Sequence, residues 1–203
     1  MKKVISTTIL VLLVSIVYGQ TKTAKGFSNF NEFLENKPTM TFEFQLKKRT
    51  NGDIFMTGGI SNYRAKKITP KNNAEKVEKE LWGISIGDTV YINSYPYSKI
   101  VGYNQIIEKG YYTYFIGEPA RAEKEQRELG IIKATEKQIA VCCQVGYVIL
   151  LDGTIKLLRP ELLLDLCKDN ENLVTKIKEA NLKFEDVLKM FDFLAKYNLT
   201  KNN

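Results

Sequence analysis

Apolar and polar positions alternate with a period of two through most of the chain and change to helical spacing near its start and over 159–198. Ser28 is placed to cap a short helix in which Phe30, Phe33 and Leu34 share a face, and Pro38 ends it. Phe42, Phe44 and Leu46 then alternate with Glu43, Gln45 and Lys47. Asn51-Gly52, which tolerates positive φ, predicts a hairpin returning through Asp53 to Met56. Gly58-Gly59 and the stretch from Lys66 to Asn73 read as loops, because Pro70 forbids a continuous helix or central strand.

Ala74 to Leu81 reads as a helical turn, and Gly87-Asp88 leads into a β-rich run from Thr89 to Asn93. Tyr103 to Ile107 and Tyr111 to Ile116 flank the Lys109-Gly110 turn, a second hairpin. Pro119 to Leu129 carries charges at helical spacing with few apolar residues, so it is a solvated excursion or a mobile loop. In the strand expected over Lys137 to Leu151, Ile139, Val141, Cys143, Val145, Tyr147 and Ile149 form one face. Ala140, Cys142, Gln144 and Gly146 form the other, small enough for a helix to lie on. Asp152-Gly153 turns the chain toward Thr154 to Leu158. Pro160 opens the helical tail, where a missing N–H costs nothing. Its apolar stripes are Leu162, Leu163, Leu166 and Cys167, then Leu173, Val174 and Ile177, then Phe184, Val187, Leu188, Phe191 and Leu194. The order of elements predicts an α+β fold: a mostly antiparallel sheet with a short N-terminal helix and a C-terminal helical segment packed over it.

Lys2 and Lys3 followed by an apolar run from Val4 to Val17 read as a signal peptide over 1–19, cut near Gly19 and Gln20. As a helix those fourteen residues cover ~21 Å, short of the ~30 Å a membrane anchor needs. The expected mature chain, 20–203, is a single domain with a sheet-rich part over 27–158 and the helical tail, exported to the periplasm or beyond the cell and without a membrane span. Losing Lys2 and Lys3 lowers the formal net charge from +7 to +5, a mild excess with acids interspersed, as on an ordinary solvated surface. The first cysteine is Cys142, too late for a lipoprotein anchor. Adjacent Cys142 and Cys143 point to opposite faces, so only Cys142 is expected to reach Cys167. A Cys142–Cys167 disulfide and buried free thiols are both open readings.

The chain contains no histidine. That removes the usual base from any serine or cysteine hydrolase pair and most zinc sites. Gly83-Ile84-Ser85-Ile86-Gly87 matches a nucleophile elbow in letters, but the elbow needs a strand before the serine and a helix after it. Here a strand is expected to follow, and both glycines read as backbone punctuation. Carboxylate chemistry survives: Glu80, Asp88, Glu108, Glu118 and Asp152 lie near turns, although no spacing singles out a pair. No catalytic residue, metal site or cofactor is therefore assigned. The only tryptophan stands in a tyrosine-rich segment, and Trp82, Tyr95, Tyr97 and Tyr103 are the candidate ligand-binding residues, with cross-strand packing as the competing explanation. Lys47-Lys48-Arg49 lies at the expected hairpin tip, where a phosphate or plain solvent suits it; nothing else indicates nucleic acid. Asn198-Leu199-Thr200 matches a glycosylation sequon.

Three segments, from Phe30 to Pro38, from Trp82-Gly83 through Gly87 to Asn93, and from Leu151-Asp152-Gly153 to Tyr197-Asn198, together resemble a family of small exported bacterial proteins of unknown function. The resemblance implies export and one compact domain, and it brings no active residues. The expected function is a non-catalytic binding or structural role at the bacterial cell envelope, with a protein or glycan as partner. The alternative is a carboxylate-dependent hydrolase acting on glycans.

Overall fold

The structure, a computed structural model, describes residues 21–50, 63–98, 101–117 and 145–201. The described strands are β1 (Lys22–Phe27), β2 (Met40–Lys48), β3 (Tyr63–Thr69), β4 (Gly83–Ile86), β5 (Thr89–Asn93), β6 (Tyr103–Glu108), β7 (Thr113–Gly117), β8 (Val145–Ile149) and β9 (Ile155–Leu157). The α-helices are α1 (Phe30–Leu34), α2 (Tyr95–Ser98), α3 (Pro160–Leu166), α4 (Glu171–Glu179) and α5 (Val187–Lys201). A 3-10 turn, Lys71–Asn73, and a π-helical segment, Lys76–Glu80, join β3 to β4.

The strand order is β3-β2-β1-β4-β5-β6-β7-β8-β9, with every pairing antiparallel. One further pairing, Tyr63 with Tyr103, joins β3 to β6. It closes β3-β2-β1-β4-β5-β6 into a six-stranded barrel. The α+β expectation of an open sheet under a helical cover is thereby corrected: most of the fold is a closed antiparallel barrel, with three extra strands and short helices beside it.

Closure has a cause in the side chains. Ala24, Gly26 and Ala65 share the inner face with Phe42, Phe44, Ile84 and Tyr103, so small positions on β1 and β3 make room for large ones on β2, β4 and β6. This alternation of size is how a narrow barrel is filled. A Cβ on Gly26 would fall 2.8 Å from Leu81 and 3.0 Å from Met40. Phe44 and Tyr103 are 0% and 1% exposed, and each buried aromatic of this kind contributes about 1.5–3 kcal/mol. The 3-10 and π-helical segments form a floor. Val77 and Leu81 fill one end of the barrel, the Tyr103 hydroxyl donates to the Val77 carbonyl, and the Asn93 amide donates to the Leu81 and Glu78 carbonyls at 2.8 and 3.2 Å.

Two elements differ from their sequence patterns. Residues 66–69, read as loop, belong to β3. Between its pairings with Glu43 and Gln45 that strand carries one extra residue, and Lys67 there adopts φ 50°, so the bulge breaks the period-two pattern that would have revealed it. Lys22 to Lys25, which precede the first element that the sequence pattern predicts, are part of β1 and pair with Phe44 to Thr41. The returning hairpin strand expected over 53–56 lies outside the described residues, as do the excursion from Pro119 to Leu129 and the signal peptide over 1–19.

β7, β8 and β9 extend the sheet past the barrel as a wing covered on both faces. Phe27, Phe30, Phe33, Trp82, Ile92, Ile106, Phe115 and Tyr147 pack on one side. On the other side α3, α4 and α5 pack on Tyr114 and Val148 through Leu163, Leu173, Ile177, Val187, Met190, Phe191 and Leu194. The helical cover therefore exists, but over the wing. Gly146 permits it, since a Cβ there would meet Val187 at 2.9 Å and Phe191 at 3.1 Å. The last helix starts at Val187 and leaves Leu188 67% exposed, so the face runs through Met190 and Tyr197 instead of Phe184 and Leu188. Asn29, not Ser28, caps α1: its side chain accepts from the Glu32 N–H at 2.9 Å while the Ser28 hydroxyl pairs with Thr39. Among the described residues no helix is long and apolar enough to cross a membrane.

Candidate binding site at the open end of the barrel

Strand register decides which side chains face the barrel interior. Inward positions share a face with Phe42, Phe44, Ile84 and Tyr103: Lys22 opposite Phe44, Leu46 opposite Ala65, Lys48 opposite Tyr63, Tyr91 opposite Ile84, and Gln105 opposite Tyr91. The floor occupies the end where β3 finishes and β4 begins. At the other end Leu46, Tyr63, Ile86 and Tyr91 are only partly buried against the barrel core, while Lys22, Lys48 and Gln105 are exposed. The Tyr63 and Tyr91 rings meet edge to face with centroids 5.2 Å apart. Burial raises the Tyr91 hydroxyl above its ordinary value, with a smaller contribution from Tyr63, so it stays protonated and is a hydrogen-bond donor at neutral pH. Among the inward positions of the six barrel strands the charged residues are Lys22 and Lys48, and none is acidic. Asp88, in the exposed β4–β5 turn, is an acid nearby at this end. Arg49, expected on a solvated tip, is 5% exposed.

The four aromatics selected from the sequence are not gathered into one surface. Trp82 is 9% exposed and stacks on Phe33 with centroids 4.9 Å apart. Tyr97 packs against Phe115 and Tyr147, and its hydroxyl accepts from the Asn104 amide at 2.7 Å. Tyr103 is the barrel-core residue bound to the Val77 carbonyl. Tyr95 is half-buried, its N–H donating to Asn93 Oδ1 at 3.0 Å. The pair at the open end, Tyr63 and Tyr91, is not among those four. Its signal was faint, because Tyr63 follows a glycine-rich stretch and meets Tyr91 only through closure of the barrel.

A sequence profile for a family of unknown function, DUF6563, matches residues 25–201. The chain belongs to that family. No curated protein and no solved structure matches it. The resemblance noted in the sequence thus leads to a family of unknown function, and export remains a proposal. Tyr63, Tyr91 and Lys48 fall inside the span that defines this DUF6563 chain as a family member; Lys22 lies just before it.

Two of the candidate carboxylates of this family member, Glu108 and Asp152, hold structure together. Glu108 accepts from the Tyr114 hydroxyl and from the Asn198 amide, the latter at 3.0 Å. Asp152 closes the β8–β9 turn by accepting from the Thr154 N–H at 2.9 Å, which lowers its carboxyl below the ordinary value. Asp88 and Glu80 are exposed, and Glu118 lies outside the described residues. Ser85 sits within β4, and the β4–β5 turn with Gly87 at φ 56° follows it in place of a helix. Asn198 of the sequon is 1% exposed, and its Nδ2, the atom a glycan would need, donates to Glu108 and to the Tyr112 carbonyl. Cys167 is buried, and burial, with a smaller push from Asp169, raises its thiol to about 12. Cys142 lies outside the described residues. Among the described residues no three His, Cys, Asp or Glu side chains gather as a metal site.

Proposed function

We propose that the chain is an exported, non-catalytic binding module of the bacterial cell envelope, and that it engages a glycan at the open end of its barrel. The observation that supports this reading most directly is the Tyr63–Tyr91 pair, half-buried beside Leu46 and Ile86 where an otherwise packed barrel opens to solvent. Aromatic and aliphatic surface next to hydroxyl tips suits the C–H faces and hydroxyl rims of sugar rings.

Two measurements test the two halves of the proposal. Fractionation of the producing cells, with N-terminal sequencing, is expected to recover a chain beginning near Gln20 in the envelope or medium; a cytosolic chain retaining Met1 refutes export. Binding of the purified domain to immobilised envelope polysaccharides is expected to fall about two- to twelvefold in Tyr63→Ala and in Tyr91→Ala, on the ~0.5–1.5 kcal/mol scale of aromatic contacts. Equal retention of wild type and both variants refutes the site.

A further inference from the structure

Resting on the glycan reading above, the geometry points to an acidic saccharide, one bearing carboxylates such as uronic acids, as the ligand class of the barrel's open end. The inward face supplies two cations, Lys22 and Lys48, and no acid among the described barrel strands. Both ammonium groups stand on the face that carries Tyr63, Tyr91, Leu46 and Ile86, so a ring stacked on the aromatics would bring its carboxylate within reach of a lysine. A neutral sugar would use the rings and offer neither lysine a charged group, leaving the exposed Asp88 as the acid near this end. A nucleic acid fits less well, since backbone tracking uses roughly six to ten phosphate contacts and stacking platforms for successive bases, whereas this opening offers two cations and one edge-to-face ring pair.

The test is calorimetric titration of the 20–203 chain with galacturonate oligomers of four to six units and with their fully methyl-esterified, uncharged counterparts. Wild type is expected to bind the acidic oligomers about tenfold more tightly than the esterified ones. The double variant K22A/K48A is expected to lose that preference and keep its affinity for the esterified oligomers. Lys176→Ala combined with Lys178→Ala, which removes the same charge from exposed positions on α4, is expected to change neither, and this separates a built site from general attraction to a basic protein. Tyr63→Leu serves beside Tyr63→Ala as a variant that keeps apolar bulk, with circular dichroism and melting confirming a folded chain.

If acidic and esterified oligomers bind equally and the K22A/K48A variant is silent, the acidic-ligand inference fails while the glycan reading stands. Loss of preference in the α4 double variant also overturns the inference. If neither oligomer binds and a single-stranded oligonucleotide does, both readings fall.

Discussion

Asn198 ties the C-terminal helix to the β6–β7 turn, and replacing it with alanine is the sharpest available test of how the wing is held. Its Oδ1 accepts from the Tyr112 N–H at 2.8 Å, and its Nδ2 donates to the Tyr112 carbonyl at 2.9 Å and to Glu108 Oε1 at 3.0 Å. Glu108 in turn accepts from the Tyr114 hydroxyl, so one amide organises both strands of the hairpin. Neutral hydrogen bonds of this kind are worth about 1 kcal/mol each and one to a carboxylate about 1.5, so Asn198→Ala is expected to cost about 3.5 kcal/mol. For a domain of this size that lowers the melting temperature by about 7–14 °C. Guanidinium titration followed by circular dichroism should show the loss as an earlier midpoint at unchanged slope. Asn198→Asp, nearly identical in shape, puts an oxygen where Nδ2 faced Glu108 and the Tyr112 carbonyl, and it is expected to destabilise at least as much. A double-mutant cycle with Glu108→Ala should return about 1 kcal/mol of coupling. A loss below about 1 kcal/mol for Asn198→Ala, together with a benign Asn198→Asp, would refute the latch.

Gly146→Ala should overpack the contact with Val187 and Phe191 and cost about 1–3 kcal/mol, read as a lower midpoint in the same titration; an unchanged midpoint would mean α5 does not rest on β8 as described. Asp169 is held below its ordinary value of 3.8 chiefly by the hydrogen bonds from Lys201 and Tyr197. A depressed folded-state value means that this anchor contributes above about pH 3.8 and is lost as pH falls through the lower folded value. Asp169→Asn should therefore be less stable than wild type at pH 7 and show a shallower fall between pH 5 and 2; identical slopes would count against it. In reduced protein carrying Cys142→Ser and Cys143→Ser, the Cys167 thiol should resist a disulfide reagent at pH 8 until denaturant is added, because burial keeps it protonated and covered. Rapid labelling of the native protein would contradict its placement beneath the helices.

Local pattern carried the sequence reading a long way where the partner strand or turn was close in the chain. Gly87-Asp88 did turn β4 into β5, Lys109-Gly110 sits between β6 and β7, Asp152-Gly153 joins β8 to β9, and Pro160 opens α3 at its first turn. The small face of β8 did receive a helix at Gly146. Each depends on a few adjacent residues whose backbone preferences and alternation are legible without knowing the rest of the fold. Of the candidate site, Tyr91 stood in the tyrosine-rich segment and Lys48 in the basic run, but neither was linked to the other or to Tyr63.

Closure belonged to the tertiary structure alone. The Tyr63–Tyr103 pairing spans forty positions, and the bulge at Lys67 hides the alternation of β3, so no window of sequence contains the signal. The sequence by itself determined that the chain is rich in strands, lacks histidine and ends in amphipathic helices, because period, composition and turn chemistry are properties of short segments. Which aromatics became core and which reached the open end was settled only when the strands met. In a barrel, burial depends on the summed stagger of six register choices, and no residue's own neighbours in sequence encode that sum.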